Sequence, residues 1–219
     1  MRKGQKDYIP ALSYQWLTKL YDPLVRWTMR EFTFKSQLVK ELNTEKGNRV
    51  LDLGCGTATL TIQLKQAYPE SNFIGLDGDR KVLSIAKKKV SQAGLEIDFQ
   101  EGLSYNLPYP DETFDHIVSS LLFHHLTSEN KKATFDEVYR VLKPGGEFHL
   151  ADWGKPQNQL MRIAFLSIQV LDGFTTTKDH VKGKLPEFIN HSGFHDVKET
   201  SRFVTIYGTL SLYRAKKPT

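Results

Sequence analysis

The segment Val50-Leu51-Asp52-Leu53-Gly54-Cys55-Gly56-Thr57-Ala58-Thr59-Leu60 constrains the fold more than any other stretch of the chain. A short apolar run passes directly into a glycine turn and then into helical spacing. Gly54 and Gly56 let the backbone turn sharply and approach a ligand with no Cβ in the way. The helix that follows, read as Thr57–Ala67, presents unpaired first-turn N–H groups toward the crevice at the strand's carboxyl end, where open α/β sheets bind ligands. A glycine pair alone says little; its strand–turn–helix setting gives it meaning.

The same alternation continues. Asn72–Leu76 reads as a strand ending at Asp77, Lys81–Ala93 as a helix closed by Gly94, and Glu96–Gln100 as a third strand. After a proline-containing connection come a strand over Phe114–Ser120 and a helix over Glu129–Leu142 that stops at Lys143-Pro144-Gly145-Gly146. A fifth strand follows over Glu147–Asp152. Strands separated by helices of this length form parallel β-α-β units with right-handed crossovers. The tail breaks the pattern: helices over Pro156–Leu171 and Lys178–His191, then successive strands over 195–203 and 207–215. The predicted fold is therefore a Rossmann-like, doubly wound, mostly parallel seven-stranded sheet with an antiparallel C-terminal hairpin.

Residues 1–47 differ in character. Tyr8, Tyr14, Trp16, Tyr21, Trp27, Phe32 and Phe34 crowd the start of the chain, and helices are expected over 12–21 and 23–42, with Asp22-Pro23 as the restart. They form either a cover for the sheet edge or a helical lid over a ligand. The chain divides into this cap (1–47) and one α/β domain (48–219), with a cofactor half (48–152) and an acceptor half (153–219). The helix Leu160–Leu171 is apolar all round and reads as buried, with an apolar pocket wall or a membrane contact as the other uses of such a surface.

A length of 219 residues and a net charge of +5 allow one sizeable core and give no nucleic-acid footprint. The Lys87-Lys88-Lys89 and Lys131-Lys132 runs are expected on solvated helix faces. The single cysteine, Cys55, permits no internal disulfide. No apolar stretch has the length of a signal peptide or a membrane span, so the expectation is a soluble, cytoplasmic protein.

Asp77 ends the second strand, where a carboxylate can accept two hydrogen bonds from a ribose diol. Asp79 reads instead as a helix cap. The set Asp52-Leu53-Gly54-Cys55-Gly56, Gly75-Leu76-Asp77, Leu107-Pro108-Tyr109, Phe114-Asp115, Ser119–His125 and Leu142-Lys143-Pro144-Gly145-Gly146 resembles the class I S-adenosylmethionine-dependent methyltransferases. More narrowly, it is similar to the group that contains the ubiquinone- and menaquinone-biosynthesis methyltransferases. The resemblance covers residues 48–152. It implies S-adenosylmethionine as cofactor and S-adenosylhomocysteine as product. It places Asp52, Gly54, Gly56 and Thr57 in the cofactor loop, with the two glycines against the methionine part. Asp77 would hold the ribose, Gly78 would lie beside the adenine, Gly102, Leu103 and Ser104 would form the adenine pocket, and Ser119 would lie below the sulfonium.

The sequence departs from that pattern twice. Ala58 stands where such enzymes often carry a third glycine, a change that a slightly longer helix turn can absorb. Leu103 stands where an aspartate often takes the adenine amino group, which leaves adenine to backbone groups or Ser104. Methyl transfer needs chiefly in-line positioning and desolvation, with a base where the acceptor's pKa is high. Candidates for that base are His124, His125, Asp152 and Tyr21. His149, alternating along the fifth strand, reads as packed or surface-facing.

What is missing narrows the chemistry. Ser119-Ser120-Leu121-Leu122 is not the Asn/Asp-Pro-Pro-aromatic tetrapeptide of nucleic-acid amino methylation. A lone thiol in the cofactor loop excludes cysteine-nucleophile cytosine chemistry, the fourth strand lacks the terminal aspartate of a magnesium-dependent catechol site, and no Cys/His spacing suggests zinc. The expected acceptor is a small organic or lipid-like molecule, methylated without metal, with peripheral membrane contact an open use of the apolar surfaces. Two rivals stand beside this reading. A dinucleotide oxidoreductase would want glycine at Thr59, and a cofactor-binding protein without catalysis would show no methyl transfer to any acceptor.

Overall fold

Strand β1 (Arg49–Leu53) lies in the middle of the sheet and shows how one sequence serves two cores. Leu51 and Leu53 project into one cluster with Leu76, Ile117, Phe135 and Leu150. Val50 projects to the other side, among Phe34, Leu38, Leu64, Val118 and Ala151. A strand buried on both faces reads as a continuous apolar run, as this one does. The structure, a computed structural model, describes residues 30–219. The expected helix over 12–21, the start of that over 23–42, and Tyr21 lie outside the described residues.

Seven strands form one sheet in the order β3-β2-β1-β4-β5-β7-β6. Strands β2 (Asn72–Asp77), β3 (Asp98–Glu101), β4 (Phe114–Ser120) and β5 (Leu142–Trp153) run parallel with β1. Strand β7 (Gly208–Lys216) pairs antiparallel with β5, and β6 (His195–Thr205) antiparallel with β7. The predicted doubly wound sheet with a C-terminal hairpin is the observed architecture.

Helices α1 (Glu31–Leu42), α2 (Thr59–Ala67), α3 (Arg80–Gln92), α4 (Ser128–Val141), α5 (Gln159–Asp172), α6 (Phe174–Lys182) and α7 (Leu185–His191) cover the two faces. Asp79 caps α3 by accepting from the N–H groups of Lys81 and Val82, as expected.

Four readings change. Helix α2 starts at Thr59, two residues later than expected, because Gly56 and Ala58 both hold positive φ (55° and 61°), a conformation no helix continues through. The expected helix over 178–191 is two helices. Gly183 turns left-handed (φ 68°) to close α6, and Pro186 in the first turn of α7 has no N–H to give a preceding turn. Strand β5 begins at Leu142, directly after α4, with an irregular register between Phe114 and His116. Lastly, α5 buries only Phe165, Ile168 and Gln169, while Leu160, Ile163, Val170 and Leu171 are exposed.

Candidate active site

A cavity of about 260 Å³ opens at the carboxyl ends of β1, β2 and β4. One wall is the loop between β1 and α2. Gly54 (φ 72°) lies so close to Leu122 that a Cβ would stand 3.0 Å from three of its atoms, so glycine is required there for shape and for conformation. Gly56 (φ 55°) faces open space instead. The N–H groups of Gly54 and Cys55 donate to Leu76 O, at 2.8 and 3.0 Å, and that of Gly56 donates to Asp77 Oδ2 at 2.9 Å. The loop's amides are thus spent on its own shape. Burial pushes the Cys55 thiol up, so this thiol is not a nucleophile.

Asp77 stands at the end of β2 on the same wall. It accepts from Gly56 N–H and from Asp79 N–H at 2.9 Å each. Burial raises its pKa, and these backbone donors offset part of that. A carboxylate has about four lone-pair sites, so two acceptor positions remain for a diol. Gly78, Thr57, Gly102, Leu103 and Ser104 also line the cavity. The Ser104 hydroxyl, however, is bonded to Thr134 Oγ1 at 2.9 Å and turned toward α4.

Two expected cofactor residues are not on the wall. Asp52 is buried behind the loop, on the side strand alternation shares with Val50, and accepts from Thr61 Oγ1 at 2.6 Å. Burial pushes its pKa up to about 6. Ser119 is fully buried and donates to Leu53 O at 2.8 Å, which bonds β4 to β1; Ser120 lines the cavity in its place.

The opposite wall is the turn after β4: Leu121, Leu122, His125 and Leu126. His124 points the other way, into the protein. Its Nδ1–H donates to Asp152 Oδ1 at 2.8 Å, and Asp152 also accepts from the N–H groups of Phe123 and Trp153, at 2.8 and 2.7 Å. Burial works against the charged His124, but Asp152 outweighs it and raises the imidazole pKa. Burial likewise opposes the Asp152 carboxylate, and His124 holds it ionised well below the usual range. Asp152 is therefore a buried anchor for His124 and not a wall residue.

Among the described residues, His125 is the expected base that reaches the cavity. Burial and the adjacent His124, with ring centroids 4.0 Å apart, push its pKa down to about 3. It is a neutral imidazole at physiological pH. Asp172, at the end of α5, sits 3.7 Å from both His124 Nε2 and His125 Nδ1, and His180 Nε2 lies 3.5 Å from Asp152 Oδ1. His149 is fully buried at the other end of the sheet, remote from this cluster.

Several wall or supporting residues had no signal in the sequence. Lys89 of α3 donates to Thr57 Oγ1 and Thr59 Oγ1 at 3.1 and 2.9 Å, tying the glycine loop to the neighbouring helix. Lys131 was expected in solvent. It is fully buried, bonded to Leu126 O, Thr176 O and Asp179 Oδ2, and it fastens the histidine turn to α6. Glu31 and Lys35 of α1 also line the cavity and pair with each other at 2.5 Å. A lysine one turn after an acid on an amphipathic helix is the only hint the sequence carried of the last pair.

The methyltransferase-domain family matches residues 50–146, the span from β1 into β5 that includes both cavity walls. An uncharacterized methyltransferase of Synechocystis sp. is 30% identical over 190 residues, 86% of this chain and 87% of that protein. The chain belongs to the S-adenosylmethionine-dependent methyltransferases. A demethylmenaquinone methyltransferase of Lactobacillus johnsonii is 34% identical over 137 residues, 61% of this chain. The chain spans 55% of that protein's length, about half, as it does for two further relatives of that name (52% and 54%). In fold, it resembles a SAM-dependent methyltransferase from Aquifex aeolicus, with a TM-score of 0.63, 21% identity, and coverage of 83% of this chain and 88% of that one.

The residues fit the cofactor of this family. Gly56 leaves open the space that a Cβ would take, and Asp77 keeps acceptor capacity facing it. Lys35 and Lys89 are cations on the wall beside the loop, Lys35 within electrostatic reach of Asp52. Leu103 gives the cavity an apolar side chain beside Gly102.

Proposed function

We propose that this methyltransferase methylates a small, lipid-like acceptor held between the glycine loop and the His124–His125 turn. The observation that carries the proposal is that one cavity is walled by Gly54–Thr57 and Asp77 on one side and by Leu121, Leu122, His125 and Leu126 on the other. When bound, S-adenosylmethionine supplies an electrophilic methyl group on a sulfonium. Asp77 would hold the ribose diol and Gly102–Ser104 would flank the adenine. Leu121, Leu122 and Leu126 exclude water, which favours transfer to an uncharged ring. His125, neutral at physiological pH and held too weakly basic to draw off the acceptor's proton, would accept a hydrogen bond from the acceptor and orient it, with His124 stacked against it and Asp152 behind. The acceptor's proton would pass to bulk water as the product leaves.

The apolar character of the acceptor is supported from outside the cavity as well. Leu171 and Phe174 flank Asp172, next to His125, and both are exposed, as are Leu160, Ile163 and Val170 along α5. No helix among the described residues is long and apolar enough to cross a membrane. An exposed apolar stripe beside the cavity suits an acceptor with a long apolar tail, presented from a membrane surface. The demethylmenaquinone named for several relatives is an acceptor of this class.

The test has two stages. Isothermal titration should show S-adenosylhomocysteine binding at micromolar levels, with no heat from NAD or NADP. Labelled methyl transfer should then be measured to demethylmenaquinone in oxidised and reduced forms, and to tail-free phenols and amines, with and without vesicles. Transfer confined to tail-free amines would overturn the acceptor class. Cofactor binding with no transfer to any acceptor would favour a non-catalytic role.

A further inference from the structure

A second cluster of histidines lies at the opposite end of the sheet, outside the cavity. His116 stands on β4 and pairs in register with Glu147 of β5. His149 follows two residues later and projects from the same face as Glu147. His149 is fully buried, and neither of its ring nitrogens has a hydrogen-bond partner. Its Nε2 lies 3.3 Å from Glu147 Oε2 without the alignment of a hydrogen bond. His116 Nδ1 is also buried and unpartnered, and its Nε2 is 3.5 Å from Asn48 Nδ2. The two rings are 6.2 Å apart, and one donor atom from each of His116, Glu147 and His149 lies within 4.8 Å of the others.

Unpaired buried polar atoms are rare in native folds, and three ring nitrogens around one carboxylate point to something shared between them. We infer that His116, Glu147 and His149 bind one divalent transition-metal ion of the zinc class, which braces β4 against β5. Two imidazoles and one carboxylate are a zinc donor set that leaves a position for water. Calcium and magnesium want several oxygen ligands, and here there is one carboxylate. The location gives the ion a structural task. The β4–β5 register is irregular between Phe114 and His116, where pairing jumps from Leu142 to Glu147 across Lys143–Gly146. A bridge from His116 to His149 would hold the two strands together just past that irregularity.

The experiment uses the tag-free chain, stripped with chelator and dialysed. Zinc is titrated by calorimetry and cobalt by visible absorption, with magnesium as control. One equivalent of zinc should bind at micromolar or tighter affinity, with a cobalt d–d band of the intensity expected for nitrogen-rich, low-coordinate ligation. Binding should weaken by roughly tenfold or more in His116→Asn and in Glu147→Gln, both at half-buried positions. Zinc should raise the melting temperature of the parent chain and not of these variants. His124, His125 and Asp172 are also close enough to share an ion, so His125→Asn serves as the discriminating arm and should leave zinc affinity unchanged. No binding by the parent chain would overturn the site, and so would binding lost in His125→Asn but kept in His116→Asn. If His116→Asn fails to fold, Glu147→Gln and His125→Asn still decide: zinc affinity kept in His125→Asn and lowered in Glu147→Gln supports the site, and the reverse overturns it.

Discussion

The glycine loop and the histidine turn wall the same cavity but are assembled differently. The loop draws its shape from consecutive residues. Gly54, Cys55 and Gly56 bond to Leu76 O and Asp77 through backbone amides, and the side chains matter chiefly by being absent. The turn after β4 draws its shape from distant residues. His124 is held by Asp152 of β5, Asp172 of α5 stands against both histidines, and Lys131 of α4 clamps Leu126 to α6. A wall made of backbone can hold a ligand without depending on much else. A wall made of buried ionisable side chains couples ligand chemistry to the packing of β5, α4, α5 and α6 behind it.

The sharpest test of that contrast is Asp152→Ala. It removes a fully buried carboxylate that accepts from Phe123, His124 and Trp153, leaving their donors unpaired. Breaking a buried charged pair from one side costs about 3–5 kcal/mol. Chemical denaturation should show that loss, while the folded fraction keeps its affinity for S-adenosylhomocysteine. A weakening of cofactor affinity as severe as the loss of stability would mean the two walls are one unit.

Asp77→Ala should do the reverse. It deletes a carboxylate on the cavity wall whose remaining acceptor sites suit a diol, and charged hydrogen bonds of that kind contribute about 1.5–3 kcal/mol. Calorimetry should show cofactor affinity falling by more than roughly tenfold, with turnover at saturation less affected. An unchanged affinity in a folded protein would remove Asp77 from the cofactor wall.

The same contrast explains what the sequence revealed. The glycine turn, the strand end at Asp77 and the Asp79 cap are local signals: each is placed by its neighbours a few positions away, and all three stand where they were expected. Asp172 and His180 sit in helices with no local mark, and only packing of α5 and α6 brings them to His124 and Asp152; Lys131 of α4 is likewise brought to Leu126 and Asp179 only by packing. Asp52 and Ser119 show the opposite error. They lie in the motif, but strand alternation and a neighbouring acceptor turn them inward. The longer helix turn expected to absorb Ala58 is not there: Ala58 itself adopts the left-handed conformation (φ 61°) and the helix starts after it, at Thr59.

A smaller effect separates the histidines by pH. With a folded pKa near 3 against about 6.5 unfolded, His125 favours the folded state fully above pH 6.5. As pH falls below that, the unfolded chain takes up a proton that the folded chain refuses, and stability drops. His125→Asn lacks this contribution. Between pH 7 and pH 5 its loss of stability should be smaller than that of the parent by on the order of 1 kcal/mol, discounted for the partial exposure of the ring. Equal losses would mean that His125 is not desolvated and that the histidine wall is open to water.

The smallest expected change probes the one place where the backbone wall lacks a usual partner. Leu103 lines the cavity beside Gly102, and the Ser104 hydroxyl is turned away to Thr134. If adenine rests on backbone groups there, Leu103→Asp adds an acceptor for its amino group at a position already lining the cavity. A hydrogen bond gained at a partly solvated site contributes about 0.5–1.5 kcal/mol, so S-adenosylhomocysteine should bind roughly threefold to tenfold more tightly. The gain should vanish for an analogue whose adenine lacks the amino group, which separates a specific contact from a general attraction. An unchanged affinity for both ligands would place the adenine beyond reach of residue 103, and the recognition there would belong wholly to shape, as it does at Gly54.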